Sequence, residues 1–193
     1  MHDIARDLHL AFPEASFVCC EIAFDDLNRC LPQERIDVLW TSAEVAHPLV
    51  ESVPLQVTSG LVGLVADRHP FAAASCVDVT ELADRPLLYN PAAPKEWMRP
   101  FWLADIRPRR DAQLIPTSGS SHAAATTAAA KEGVAMVTVT MDADIYKPPG
   151  TQIISLRHAQ RMRMFAARRR TDRRSAVLAL IDRFKLLPAD TCP

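Results

Sequence analysis

Short apolar runs recur along this chain with helix-like stretches between them, and that alternation limits the fold more than any other feature. The runs are "ASFVCCEIAF" (15–24), "RIDVLW" (35–40), "SVPLQV" (52–57), "GLVGLVA" (60–66), "PLLY" (86–89), "DAQLIP" (111–116), "VAMVTV" (134–139), "TQIISL" (151–156) and "MRMFAARR" (162–169). Each reads as a strand, and "RIDVLW" is nearly continuous, as in parallel strands covered on both faces. Between them, Ile4, Leu8 and Phe12 make the apolar stripe of an opening helix. Asp25 reads as the N-cap of a short helix burying Leu27 and Leu31, and Asp78 as the cap of one carrying Val79, Leu82 and Ala83. Residues 94–104 have helical composition, with Pro94 suited to a first turn and Pro100 predicting a kink. "SGSSHAAATTAAAKEG" reads as a helix that starts among serines and ends at Gly133. A last helix carries Val177, Leu180, Ile181, Phe184 and Leu187 on one face. Strands and helices in this order predict an α/β fold.

Composition narrows what such a fold serves. With 193 residues, 49% of them hydrophobic, the chain is long enough for one large domain or two small lobes with real cores. A net charge of -1 argues against a general polyanion binder. The exception is local: eight arginines between Arg157 and Arg174 face Asp172 alone, which reads as the solvated edge of a strand rather than a nucleic-acid patch. No run reaches the roughly 18 apolar residues of a membrane span, and the start lacks a signal-peptide core, so a cytoplasmic location is expected. Five cysteines, an odd number, suit a reducing compartment. Cys19 and Cys20, adjacent on an expected strand, point to opposite faces and share no metal. There is no G-x-G-x-x-G or Walker run, and no cofactor is expected.

Four stretches, taken in order, carry a resemblance. They are "FPEASFVCCEIAFDDLNRCLPQERIDVLWTS", "VPLQVTSGLVGLVADRHPFAAASCVDVTELADRPLL", "AAAKEGVAMVTV" and "MRMFAARRRTDRRSAVLALIDRF". Together they resemble the regulatory, effector-binding domain of LysR-type transcriptional regulators, over nearly everything from Ile4 to Leu187. The resemblance implies a two-lobed, periplasmic-binding-protein type II-like fold with a ligand cleft between lobes. It implies a first lobe of residues 1–70 plus 163–193 and a second of 71–162, with the chain crossing over at His69-Pro70. It also implies a small-molecule effector, often a carboxylate, and pairing as a homodimer or tetramer. DNA contact in that family belongs to a helix-turn-helix domain. Nothing before Met1 supplies one here, so this chain alone is not expected to bind operator DNA. The family's regulatory domain also starts with a strand in the middle of the first lobe's sheet, and the present sequence begins in the helix after it. Either neighbouring strands keep unpaired backbone groups, at about 1–3 kcal/mol for each buried one, or another segment fills the gap.

Candidate ligand residues follow from strand ends and helix starts, where α/β proteins bind small anions. Thr41 and Ser42 directly follow "IDVLW". Thr117, Ser118, Gly119, Ser120 and Ser121 open the Ala-rich helix, and both groups match positions where LysR-type domains contact effectors. Plain N-capping, at about 1 kcal/mol each, explains the same residues with no ligand. Thr58 with Ser59, and Tyr89 with Asn90, are further lining candidates for which loop polarity is the plainer account. His122 either reaches a ligand carboxylate or faces solvent. "GSSHA" lacks a nucleophile elbow and has no evident base, so catalysis is not expected. An exported solute-binding protein would need a signal peptide, and an enzyme on this fold would need acid and base groups converging in the cleft.

Overall fold

The computed structural model describes residues 2–107 and 113–187. In chain order the elements are α1 (His2–Ala11), β1 (Val38–Thr41), β2 (Val50–Ala66), β3 (Cys76–Asp78), α2 (Val79–Ala83), β4 (Leu87–Tyr89), α3 (Lys95–Met98), β5 (Leu114–Pro116), α4 (His122–Glu132), β6 (Met136–Val139), α5 (Thr140–Tyr146), β7 (Thr151–Arg157), β8 (Arg161–Arg169) and α6 (Ser175–Lys185). They make two compact units. The first takes residues up to Ile22, Asp26–Thr58 and those from Arg163 on; the second takes Ala23–Asp25 and Ser59–Met162. His69 and Pro70 lie in the second unit, just past the end of β2, where the His69 Nδ1 accepts from the Phe71 amide and closes a turn.

In the first unit β8 runs between β1 and β2. β1 is antiparallel to β8, Leu39 opposite Ala167 and Thr41 opposite Phe165. Its burial alternates, with Leu39 and Thr41 inward, so the continuous parallel strand read from "RIDVLW" is corrected to a half-covered antiparallel one. Leu55, Val57, Met164 and Ala166 meet Ile181 and Phe184 of α6 in the core, and the Phe184 ring stands edge-on to Trp40 at 4.8 Å.

In the second unit β2 pairs antiparallel with β6 and β7, and β7 pairs parallel with β3. β4 and β5 form a separate parallel pair. Leu61 to Ala66 are buried without interruption, the pattern of a strand covered on both faces. The core joins Leu61, Val65, Val77, Leu82, Leu87, Val137 and Ile154. Asp78 caps α2 as expected, its Oδ1 accepting from the Thr80 amide at 3.0 Å.

Several expectations are corrected. The two runs "SVPLQV" and "GLVGLVA" are one 17-residue strand, β2. "ASFVCCEIAF" is not a strand: it has no ladder partner among the described residues, and Val18, Cys19 and Cys20 are exposed. A strand's hydrogen bonds come from distant chain, and β1 stands at the edge of its sheet, paired with β8 on one side and with no described strand on the other. The helix expected after Asp25 is a single 3-10 turn, Phe24–Asp26, followed by turns that still bury Leu31. The 94–104 stretch is helical only over Lys95–Met98, because Pro100 has no amide to continue it. Helix α5 was not expected. The first two residues of "DAQLIP" lie outside the described residues.

The Arg-rich segment is a set of clamps. Arg168, 5% exposed, donates to Glu51 Oε2 at 2.6 Å and to the Asp172 carbonyl at 2.5 Å. Arg169 donates to the Ile36 carbonyl and Asp37, and Arg174 to Asp172 at 2.6 Å. The bond from Arg174 holds the buried Asp172 carboxyl at about 2, against an ordinary 3.8. A carboxyl depressed on folding stabilises the native state at pH values above its unfolded range and loses that contribution as pH falls toward its folded value. Discounted for solvent around Arg174, the expected loss is about 1–2 kcal/mol between about pH 5 and pH 2. Urea midpoints measured across that range should show the loss in the native chain and its absence in Asp172→Asn.

Candidate functional site

β4 and β5 run parallel, with Tyr89 opposite Pro116, so both strands end at the same edge. Their continuations, Asn90 and the loop Thr117–Ser121, therefore lie side by side, at the carboxyl end of strands and before an 11-residue helix. The Thr117 amide donates to the Tyr89 carbonyl at 2.9 Å. Asn90, 3% exposed, donates through Nδ2 to the Gly119 carbonyl and accepts the Ala92 amide on Oδ1. The Gly119 amide donates to Thr117 Oγ1 at 3.2 Å. A Cβ on Gly119 would lie 2.8 Å from Ala124 Cβ and 3.0 Å from the Ala124 carbonyl carbon, which leaves room for glycine alone. The Ser120 carbonyl accepts from the Phe24 amide at 2.8 Å. Ser121 caps α4, its Oγ accepting from the Ala124 amide, and Gly133 in left-handed geometry ends the helix.

Ser121 is the cap of α4, and Thr117 closes a local turn, so both oxygens are engaged locally. Ser118 and Ser120 are exposed, and no described hydrogen bond engages their hydroxyls. A groove of about 490 Å³ runs beside the loop and along α4, from Thr117 and Ser118 past Ala124 and Ala128 to Lys131. Its size suits a small ligand.

Ser59 is fully buried on β2, and its Oγ has no partner. In the first unit, Thr41 is buried at the end of β1 with its Oγ1 accepting the Ala43 amide at 3.2 Å, while Ser42 is half-buried. Tyr89 sits edge-on to Trp102 with ring centroids 5.5 Å apart. His122 turns inward: its Nε2 lies 3.3 Å from Oγ1 of the buried Thr138, and its ring lies against Tyr146. Thr138, Tyr146 and Phe24 were all missed, since each acts through partners far away in sequence.

Ser121 Oγ bonds backbone, and His122 bonds Thr138. Among the described residues no group of three His, Cys, Asp or Glu could hold a metal ion, and no helix is long and apolar enough to cross a membrane. Two α/β units place turns at strand ends, the position at which α/β proteins of the ligand-binding class hold small molecules. The family model for the LysR substrate binding domain matches residues 1–186, and the chain belongs to that family. Domains of this family are parts of transcription regulators, not enzymes. Among solved structures the chain is similar to the BenM effector binding domain with its effector benzoate, at TM-score 0.68 and 14% identity, covering 96% of this chain and 84% of that one. It is similar to the effector binding domain of QuiR in complex with shikimate, at TM-score 0.69 and 16% identity, covering 94% and 86%. It is also similar to HinK, a LysR family transcriptional regulator from Pseudomonas aeruginosa, at TM-score 0.70 and 13% identity, covering 96% of this chain and 65% of that one. No curated protein sequence matches the chain.

Proposed function

We propose that this chain is the effector-sensing part of a LysR-type regulator and that it binds a small organic carboxylate. The observation that carries the reading is the serine loop: its backbone is tied down at successive peptides while Ser118 and Ser120 keep their hydroxyls, beside the positive end of α4. Gly119 lets a ligand approach the backbone. Asn90 sets the loop's position, and Ser121 caps the helix behind it. Thr41, Ser42 and Ser59 are assigned to the same effector. In the intact regulator, DNA contact falls to a helix-turn-helix domain, the regulatory parts pair as a dimer or tetramer, and the protein works in the cytoplasm. An effector shifts such a protein only by binding one arrangement more tightly than the other.

The test is calorimetric titration with benzoate, shikimate and a panel of small carboxylates, on the native chain and on the Ser118→Ala/Ser120→Ala double variant. At least one carboxylate is expected to bind saturably, with affinity lower by about tenfold in the double variant, as for loss of one or two charge-assisted hydrogen bonds. A panel without a binder, or a binder indifferent to both serines, overturns the assignment.

A further inference from the structure

We infer that Phe24 is a positioning residue for the serine loop, holding Ser120 by a backbone hydrogen bond and seating its ring under α4. The inference rests on the reading of that loop as the effector-contacting segment and adds a part of the machinery that no motif announces. The chain leaves the first unit after Ile22 and rejoins it at Asp26, and the three residues between belong to the second unit. They form a strap. At its centre the Phe24 amide donates to the Ser120 carbonyl at 2.8 Å. The half-buried ring packs on the cluster of Leu88, Ala125, Ala129 and Met136, which joins β4, α4 and β6. At its far end Asp26 is fixed by ion pairs with Arg35 at 2.8 Å and Arg29 at 3.5 Å.

The position of this tie is what matters. The first half of the loop is held from β4, through Tyr89 and Asn90. Among the described residues the second half is tied through Ser121, whose side-chain and carbonyl bonds are internal to α4, and by Phe24, which comes from outside. Asn90 holds the Gly119 carbonyl on one side of Ser120 and Phe24 the Ser120 carbonyl on the other, so the two peptide planes that flank the Ser120 Cα are fixed, and with them the direction of its Cβ. Phe24 offers a ligand no polar side-chain atom, so it acts through Ser120 and does not touch the effector's polar groups. A preorganised hydroxyl binds more tightly than one that must be ordered on binding.

Hydrogen exchange on the whole chain tests this without a ligand. In Phe24→Ala, amides in 117–125 are expected to exchange about tenfold faster, and in Phe24→Leu within about twofold of native, because leucine refills most of the apolar seat. Protection in β2 and β7 should stay at the native level in both. Phe24→Val, a milder truncation, gives the same comparison where the alanine variant folds poorly. Unchanged exchange in 117–125 overturns the inference, and so does a rise spread equally over β2 and β7, which would make Phe24 a plain core residue. Benzoate titration of the same variants separates the two readings: a loop loosened by Phe24→Ala in a chain that binds no carboxylate leaves the positioning role standing and removes the effector assignment.

Discussion

An Arg168→Ala variant is expected to lose about 3 kcal/mol of unfolding free energy, read from urea denaturation. The guanidinium is buried, and its bonds go to Glu51, to the Asp172 carbonyl and to the Arg169 carbonyl. Truncation strands those acceptors and opens a void beside β8. The contrast is Glu51→Gln, which keeps an acceptor on a partly exposed side chain and should cost less than about 1 kcal/mol. If Arg168→Ala unfolded at the native urea concentration, the clamps would be ornamental and the first unit would stand on its apolar core alone.

Gly63→Val in the middle of β2 should cost about 2–3 kcal/mol by overpacking. A Cβ there would sit 2.8 Å from Ile154 Cγ1, 3.0 Å from Ile154 Cδ1 and 3.3 Å from Leu82 Cδ2, all inside the second unit's core. Those atoms have nowhere to go. Ile154→Ala alone leaves a cavity and is also destabilising, yet the double variant should regain about 1–2 kcal/mol of the summed losses, since valine fills the space that isoleucine vacates. Strict additivity in that cycle would show that the strands do not meet as closely as described.

How much of this was legible in the sequence depended on where each residue finds its partners. Asp78 before "VTELA" acts within one turn, so its capping role could be read directly, as could the end of α4 at Gly133. The stripe of Val177, Ile181 and Phe184 likewise announced α6. The segment 15–24 misled because its composition is that of a strand, while a strand exists only where another chain segment pairs with it. β2 misled in the opposite sense. Thr58 and Ser59 fell between the two runs, but antiparallel partners further along carry the strand through. At the site, the hydroxyl cluster was visible and its division of labour was not. Which serines are engaged depends on Asn90, Tyr89 and Phe24, all distant in sequence. The inward turn of His122 depends on Thr138 in the same way.

The unladdered stretch Ser16–Ala23 has a biochemical consequence. Proteolytic enzymes bind their substrates as extended chain and form with them the hydrogen bonds that a neighbouring strand would otherwise occupy. A backbone outside any helix or strand and exposed at Val18 needs little local opening to be gripped. Brief digestion of the native fold with chymotrypsin should therefore nick first after Phe17, well before the aromatic residues buried beneath α6 are reached.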